Sequence, residues 1–164
     1  MMESTRGPNA PRFNFIRSAP AGYQAMQALE SFLHASGLEK SLIHLVKLRV
    51  SQINGCAFCI DMHWKDLRAL GETEQRLYSL DAWHECPWYS ERERAALRWA
   101  EAVTQLADGH VSDEVYLEVS RQFDDKDLAS LTFVVATINA WNRLSIAART
   151  PPGTYQPAKT SKEP

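Results

Sequence analysis

Two cysteines separated by two residues, Cys56 and Cys59, are followed four residues later by His63. Asn54-Gly55 stands directly before them, and a glycine that adopts positive φ commonly ends a helix. The next helix would then begin at Cys56, with both thiols in a first turn where free backbone N–H groups and the helix dipole stabilise a thiolate. His63 lies one helical turn beyond Cys59 on the same face. The pattern predicts a redox-active dithiol with an imidazole in reach.

Thiol redox chemistry gives the two cysteines different roles. Cys59 is the attacking thiolate, because His63 can take its proton and the helix terminus lowers its pKa. Attack on the O–O bond of a hydroperoxide leaves Cys59 as a sulfenic acid. Cys56 then condenses with this sulfenic acid to form a disulfide. An external dithiol then reduces the pair by exchange.

Two other interpretations of these residues stay open. The cysteines can be small residues packed in a core, since free cysteine is often buried. They can also bind zinc, with His63 and His44 completing a Cys2His2 set, although structural zinc usually takes a second ligand pair that this chain lacks. Haem attachment is excluded because Ile60, and not histidine, follows Cys59. A thioredoxin-type motif is disfavoured because no βαβ pattern flanks the cysteines.

Composition indicates one soluble globular domain. The chain has 164 residues, of which 45% are hydrophobic and 23% charged, with a formal charge of -2. This charge gives no reason to expect a nucleic-acid partner, and no uncharged apolar run approaches the roughly 20 residues of a membrane span. The first residues lack the apolar core of a secretory signal, and three cysteines do not make a secreted disulfide framework. We therefore expect a cytoplasmic protein.

Helical periodicity without sustained period-2 runs predicts an all-α fold, a single-domain bundle of about six to eight helices. We expect an N-terminal arm without regular structure (1–19), a helical domain (20–150) and a polar, disordered C-terminal tail (151–164). The predicted helices are 21–35, 39–54, 56–70, a short one from Thr73 to about Leu80, a long one from Ser90, one capped by Ser112 and one from about 126 to 148. The segment 81–89 is predicted to be irregular, and 39–54, apolar around most of its circumference, to be the central helix.

Several other residues are weaker candidates for function. Asp66, three residues after His63, is placed to orient the imidazole, although an exposed aspartate is the more common case. Cys86 could form mixed disulfides, but a packed loop residue is the favoured interpretation. Asn139 and Asn142 are expected to need hydrogen-bond partners if they are buried.

Three stretches together resemble a known family. They are Ser51-Gln-Ile-Asn-Gly-Cys56-x-x-Cys59-x-x-x-His63 followed by Gly71-Glu-Thr, the segment Tyr89-Ser-Glu-Arg-Glu-Arg-Ala-Ala-Leu, and Ile138-Asn-Ala-Trp-Asn-Arg143. The chain is similar over roughly residues 20–156 to the AhpD-like alkylhydroperoxidase branch of the carboxymuconolactone decarboxylase family. The cysteine motif with its lead-in is the specific part.

The resemblance implies an all-helical homotrimer or homohexamer that reduces organic hydroperoxides without a bound cofactor or metal. It implies a thiol or lipoyl-type electron donor and a peroxiredoxin as a candidate partner. By resemblance, Cys59 reacts with peroxide, Cys56 resolves it and His63 belongs to a proton relay. Two positions depart from the family pattern: His44 stands where the relay normally has a glutamate, and Phe58 where the classical member has a histidine. Histidine can carry protons near neutral pH, so His44 is a candidate relay residue, and a non-catalytic redox sensor or scaffold of the same fold is the alternative.

Overall fold

The computed structural model describes residue 7 and residues 10–158, and in this part of the chain all regular structure is helical. Within residues 10–158, eight α-helices and two 3-10 helices follow one another. The α-helices are α1 Phe15–Ser18, α2 Pro20–Ala35, α3 Lys40–Asn54, α4 Ala57–Ala69, α5 Glu74–Tyr78, α6 Glu91–Gln105, α7 Asp113–Val119 and α8 Asp125–Ala148; the 3-10 helices are Leu80–Glu85 and Ala107–Gly109. The prediction of an all-α bundle is confirmed.

Polar side chains cap most of these helices at the positions where the sequence offers them. Ser90 and Glu93 form a reciprocal capping box at the start of α6, because each side chain accepts a hydrogen bond from the other's backbone N–H. The side chains of Thr73, Ser112 and Asp124 each accept a hydrogen bond from a backbone N–H in the first turn that follows. These caps fix where the helices begin.

Helix α3 is the central element, as its apolar circumference predicts. It packs against α4, α6 and α8, and it contributes to both apolar clusters of the core. One cluster lies between α3, α6, α7 and α8 and includes both Cys56 and Cys59. The dithiol is therefore part of one of the two buried apolar clusters.

The chain outside the main bundle is more ordered than the sequence suggests. The arm expected to lack regular structure contains α1, and the segment predicted to be irregular contains the 3-10 helix Leu80–Glu85. Residues 151–158 have no regular secondary structure, but Gly153 and Tyr155 form hydrogen bonds with side chains of α4. The rest of the predicted disordered tail, and residues 1–6 and 8–9 of the arm, lie outside the described residues. Within the described residues, no helix has both the length and the apolar character needed to cross a bilayer.

Candidate active site

The two cysteines lie at the junction of α3 and α4, where the glycine before them ends one helix. Gly55 adopts φ 70°, and the chain turns so that Cys56 becomes the N-cap of α4. Cys56 and Cys59 are bonded to each other, with their Cα atoms 5.3 Å apart. Both residues are 1% exposed. In this oxidised state neither sulfur is available to the Cys2His2 zinc set considered from the sequence.

A large cavity opens beside the disulfide. Its volume is about 1050 Å³, and Cys59 lines it whereas Cys56 does not. Much of the cavity wall is apolar, with Phe58 and Met62 from α4 and aromatic residues from the arm, from α2 and from α8, namely Phe13, Phe15, Tyr23 and Trp141. Of the two cysteines, Cys59 is therefore the one that borders the cavity.

Three polar side chains converge on the same cavity wall. His63 and Asp66 come from α4, and His44 reaches them from α3. The Nδ1 atoms of His44 and His63 lie 3.2 Å apart. Asp66 Oδ2 lies 3.4 Å from His44 Nδ1 and 3.6 Å from His63 Nδ1. His63 Nε2 is buried and has no hydrogen-bond partner among the described residues. Since Nδ1 is turned toward His44 and Asp66, Nε2 is the nitrogen left for other chemistry.

Burial controls the protonation of this group. It lowers the pKa of His63, against the opposing effect of Asp66, and it lowers the pKa of His44 to about 4, with a further contribution from neighbouring His63. Burial alone would raise the pKa of Asp66, but contacts with His63 and with Tyr155 bring it below the usual value. At neutral pH the group consists of two neutral imidazoles and one carboxylate.

Asp66 is held from the other side by the C-terminal segment. The hydroxyl of Tyr155 donates a hydrogen bond of 2.6 Å to Asp66 Oδ1. Lys65 donates to the carbonyl oxygen of Tyr155 at 3.1 Å, and the backbone N–H of Gly153 donates to Asp61 Oδ2 at 3.0 Å. The segment 151–158 is thus fastened across α4 next to the cavity.

A buried ion pair lines the same cavity. Lys47 Nζ donates to Glu30 Oε2 at 2.6 Å, and Trp141 Nε1 donates to Glu30 Oε1 at 2.8 Å. Although burial opposes ionisation, Lys47 and Trp141 hold the pKa of Glu30 below its ordinary value. The charge of Lys47 also disfavours protonation of His63 and His44. This pair therefore contributes to the electrostatics of the site.

The structure brings together Cys56, Cys59, His63 and His44, the four residues singled out from the sequence, and adds Asp66 in a buried position. Sequence reasoning did not find Glu30, Lys47 or Tyr155. A lysine inside a central helix that is apolar around most of its circumference was a usable signal, because a buried charge needs a partner. No comparable signal marked Tyr155 beyond an aromatic residue in a polar tail.

The remaining candidates do not line the cavity and contact other parts of the fold. Cys86 is buried, and its thiol lies against the carbonyl oxygens of Ser79 and Ala82. Asn54 Nδ2 donates to Asn139 Oδ1 and to Asn142 Oδ1, each at 2.9 Å. The two asparagines of α8 thereby fix the end of α3 just before Cys56.

Comparison with known proteins identifies a matching family, sequence relatives and solved structures with the same fold. The pattern of the carboxymuconolactone decarboxylase family matches residues 20–102. The uncharacterized protein YdfG of Bacillus subtilis is 44% identical over 136 residues, which is 83% of this chain and 92% of YdfG. A crystallised protein of unknown function from Agrobacterium tumefaciens, for which an antioxidant-defence role as AhpD has been suggested, is 39% identical; the match has a TM-score of 0.85 and covers 89% of this chain and all of that one. An uncharacterized peroxidase-related protein with an alkylhydroperoxidase AhpD core from Ralstonia eutropha shares the fold at 20% identity, with a TM-score of 0.75, over 85% of this chain and 74% of its own.

Proposed function

The chain belongs to the carboxymuconolactone decarboxylase family, and within that family we propose that it is a thiol-dependent reductase of organic hydroperoxides. The observation that carries the proposal is that Cys59, bonded to Cys56, lines the same cavity as His63. A dithiol at a helix N-terminus, a buried base and an apolar cavity are the parts that such a reaction needs.

The reaction begins with the reduced dithiol. His63 Nε2 accepts the thiol proton of Cys59, since Nδ1 faces His44 and Asp66. The Cys59 thiolate attacks the terminal oxygen of ROOH, so that an S–O bond forms, the O–O bond breaks and the alkoxide leaves as ROH with the proton from His63. Cys59 is now a sulfenic acid.

The second step regenerates a disulfide. Cys56 attacks Sγ of Cys59, the S–S bond forms and hydroxide leaves as water with the proton of the Cys56 thiol. The sum is ROOH and two thiols giving ROH, water and one disulfide. The Cα separation of 5.3 Å allows this bond with both cysteines in place. An external dithiol returns two electrons by exchange.

The apolar cavity wall supports an organic substrate over hydrogen peroxide. Phe58 stands beside Cys59 and, with Met62 and Trp141, offers apolar surface to an alkyl or aryl group. We propose a thiol or lipoyl-type donor as the reductant, with a peroxiredoxin as a candidate partner, and the cytoplasm as the compartment, where such donors can keep the pair reduced.

We also propose a homotrimer or homohexamer. Phe32 of α2 and Phe133 of α8 pack edge to face, with ring centroids 5.4 Å apart, yet they are 44% and 49% exposed. Ile146, further along α8, is also exposed. Such apolar surface on neighbouring helices supports burial against another copy of the chain.

Intact mass spectrometry tests the redox proposal directly. The protein is fully reduced and then mixed with one equivalent of cumene hydroperoxide. We expect rapid loss of two hydrogens from the parent protein and from the control variant Cys86→Ser, whose thiol is buried outside the site. Cys56→Ser should stop at the sulfenic acid, and Cys59→Ser should not react. Oxidation no faster than that of a free thiol, or unchanged turnover in Cys59→Ser, would refute the assignment. Disulfide formation without turnover in the presence of a dithiol would instead favour a redox sensor.

A further inference from the structure

His44, His63 and Asp66 present three potential metal ligands at one point of the cavity wall. Their Nδ1, Nδ1 and Oδ2 atoms form a triangle with sides of 3.2, 3.4 and 3.6 Å. We propose that this triangle binds a divalent transition-metal ion and that Zn²⁺ is the ion it fits best. The ligand set differs from the Cys2His2 set considered from the sequence, and it departs from the expectation that the protein holds no metal.

The size of the triangle decides between coordination geometries. At zinc–ligand distances of about 2.0–2.1 Å, adjacent ligands of a tetrahedral ion lie about 3.3–3.4 Å apart. Adjacent ligands of an octahedral ion at the same bond length lie only about 2.9–3.0 Å apart. The three observed sides average close to the tetrahedral value.

Hydrogen bonds among the three side chains explain these distances less well than a shared metal ion does. N–H···O bonds have donor–acceptor distances of about 2.7–3.2 Å, and the two contacts to Asp66 Oδ2 exceed this range. Both imidazoles nevertheless turn Nδ1 toward the same carboxylate oxygen. The two Nδ1 atoms are within hydrogen-bond distance of each other, whereas Asp66 Oδ2 lies beyond that distance from both of them. All three atoms are nevertheless separated by the distances expected between ligands of one cation.

The surroundings also resemble those of a metal site. The hydroxyl of Tyr155 holds the second carboxylate oxygen of Asp66, which is the kind of outer contact that fixes a metal-binding carboxylate. The side chains of His63, Asp66 and His44 are 4%, 12% and 17% exposed, so the ligands are shielded from water. All three line the cavity, so the fourth coordination position opens toward it. Three protein ligands with one open position are characteristic of catalytic zinc rather than structural zinc.

Metal binding has a consequence for the dithiol, and this part rests on the proposed function. When a metal occupies Nδ1 of His63, the imidazole carries its proton on Nε2 and cannot accept one from Cys59. Bound zinc should therefore slow the reaction of the reduced protein with hydroperoxide, and a chelator should restore it.

The binding test uses the oxidised protein, in which the disulfide removes both site cysteines as ligands. Zn²⁺ is titrated against a chromophoric chelator, and we expect one equivalent to bind. His44→Ala and Asp66→Asn should each weaken binding by at least about 10-fold, because even outer contacts of metal ligands are worth about 10–100-fold. His34→Ala is the matched control, since His34 lines the same cavity outside the triangle, and it should bind like the parent.

A second measurement does not depend on any variant folding correctly. Co²⁺ added to the unmodified oxidised protein should give the intense visible absorption of a tetrahedral site, without a thiolate charge-transfer band, and Zn²⁺ should displace it. Absence of saturable one-to-one zinc binding, or unchanged affinity in correctly folded His44→Ala, would overturn the proposal. No peroxide or free site thiol enters these measurements, so their outcome is independent of the proposed reductase activity.

Discussion

The buried pair of Lys47 and Glu30 allows a stability prediction to be worked out from the structure. Their charged atoms lie 2.6 Å apart, and their side chains are 3% and 18% exposed. Neutralising one partner of a buried pair costs about 3–5 kcal/mol, because the other charge stays buried. Since Glu30 lines the cavity and water can reach part of it, we expect Glu30→Gln to lower the free energy of unfolding by about 2–3 kcal/mol. For a chain of this size the melting temperature should fall by about 5–10 °C.

Urea unfolding of the reduced protein, followed by far-UV circular dichroism, measures this change. The control is Glu39→Gln, which removes the carboxylate of a more exposed pair with Arg92 and should change stability by less than about 1 kcal/mol. The double variant Lys47→Met with Glu30→Gln should recover most of the loss, because no buried charge remains.

The same pair makes stability depend on pH. The pKa of Glu30 is below its ordinary 4.5, so ionised Glu30 stabilises the fold above that pH. This contribution is lost as the pH falls from about 4.5 through the lower pKa of the folded state, and Glu30→Gln should lack that loss. A Glu30→Gln protein within about 0.5 kcal/mol of the parent at pH 7, with the same acid dependence, would refute the assignment of a buried and stabilising pair.

Two further predictions concern the walls of the cavity. Tyr155→Phe removes a hydrogen bond to a carboxylate, which contributes about 1.5–3 kcal/mol. Backbone hydrogen exchange in residues 151–158 should therefore become faster by about 10-fold or more. Unchanged exchange would mean that other contacts hold the segment. Phe58→Ala removes apolar surface beside Cys59. The second-order rate constant for cumene hydroperoxide should fall by about 10-fold, and the rate constant for hydrogen peroxide should fall less. An equal loss for both peroxides would indicate that Phe58 positions the dithiol and does not select the substrate.

The positions of the helices could be predicted because their determinants are local. Gly55 ends α3 with a positive φ, and the Ser90 capping box starts α6, each at the residue that the sequence indicates. The relation between Cys59 and His63 is also local, since both lie one turn apart on α4. These features need no knowledge of how the helices pack.

The rest of the site could not be predicted because it depends on contacts between distant segments. Asp66 was a candidate because it lies three residues after His63. Its contacts with His44 of α3 and with Tyr155, whose hydrogen bond to Asp66 spans 89 positions, could not be read from the sequence. Glu30 reaches Lys47 and Trp141 only when α2, α3 and α8 are packed together. Periodicity identifies the buried faces of these helices, but it does not say which polar residues meet there.

These tertiary contacts bear on His44, which stands where the resemblance to the AhpD-like branch leads us to expect a relay glutamate. The structure supplies a carboxylate from another helix, because Asp66 Oδ2 lies 3.4 Å from His44 Nδ1 and 3.6 Å from His63 Nδ1. We therefore expect Asp66 to fill the role of the missing glutamate, orienting His63 for the thiol of Cys59. Removing this carboxylate should slow oxidation of Cys59 more than altering His44 does.

A carboxylate exchange between the two positions tests this expectation. In metal-free buffer, Asp66→Asn should lower the second-order rate constant with cumene hydroperoxide by about 10–100-fold. His44→Glu alone should give no gain, because a second carboxylate beside Asp66 raises the pKa of one of them and leaves it protonated. In the Asp66→Asn background, however, His44→Glu returns one carboxylate to the imidazole and should recover much of the rate. A faster single His44→Glu variant would show that the relay is weakened at position 44, and a double variant no faster than Asp66→Asn would show that Asp66 acts through something other than its charge on His63.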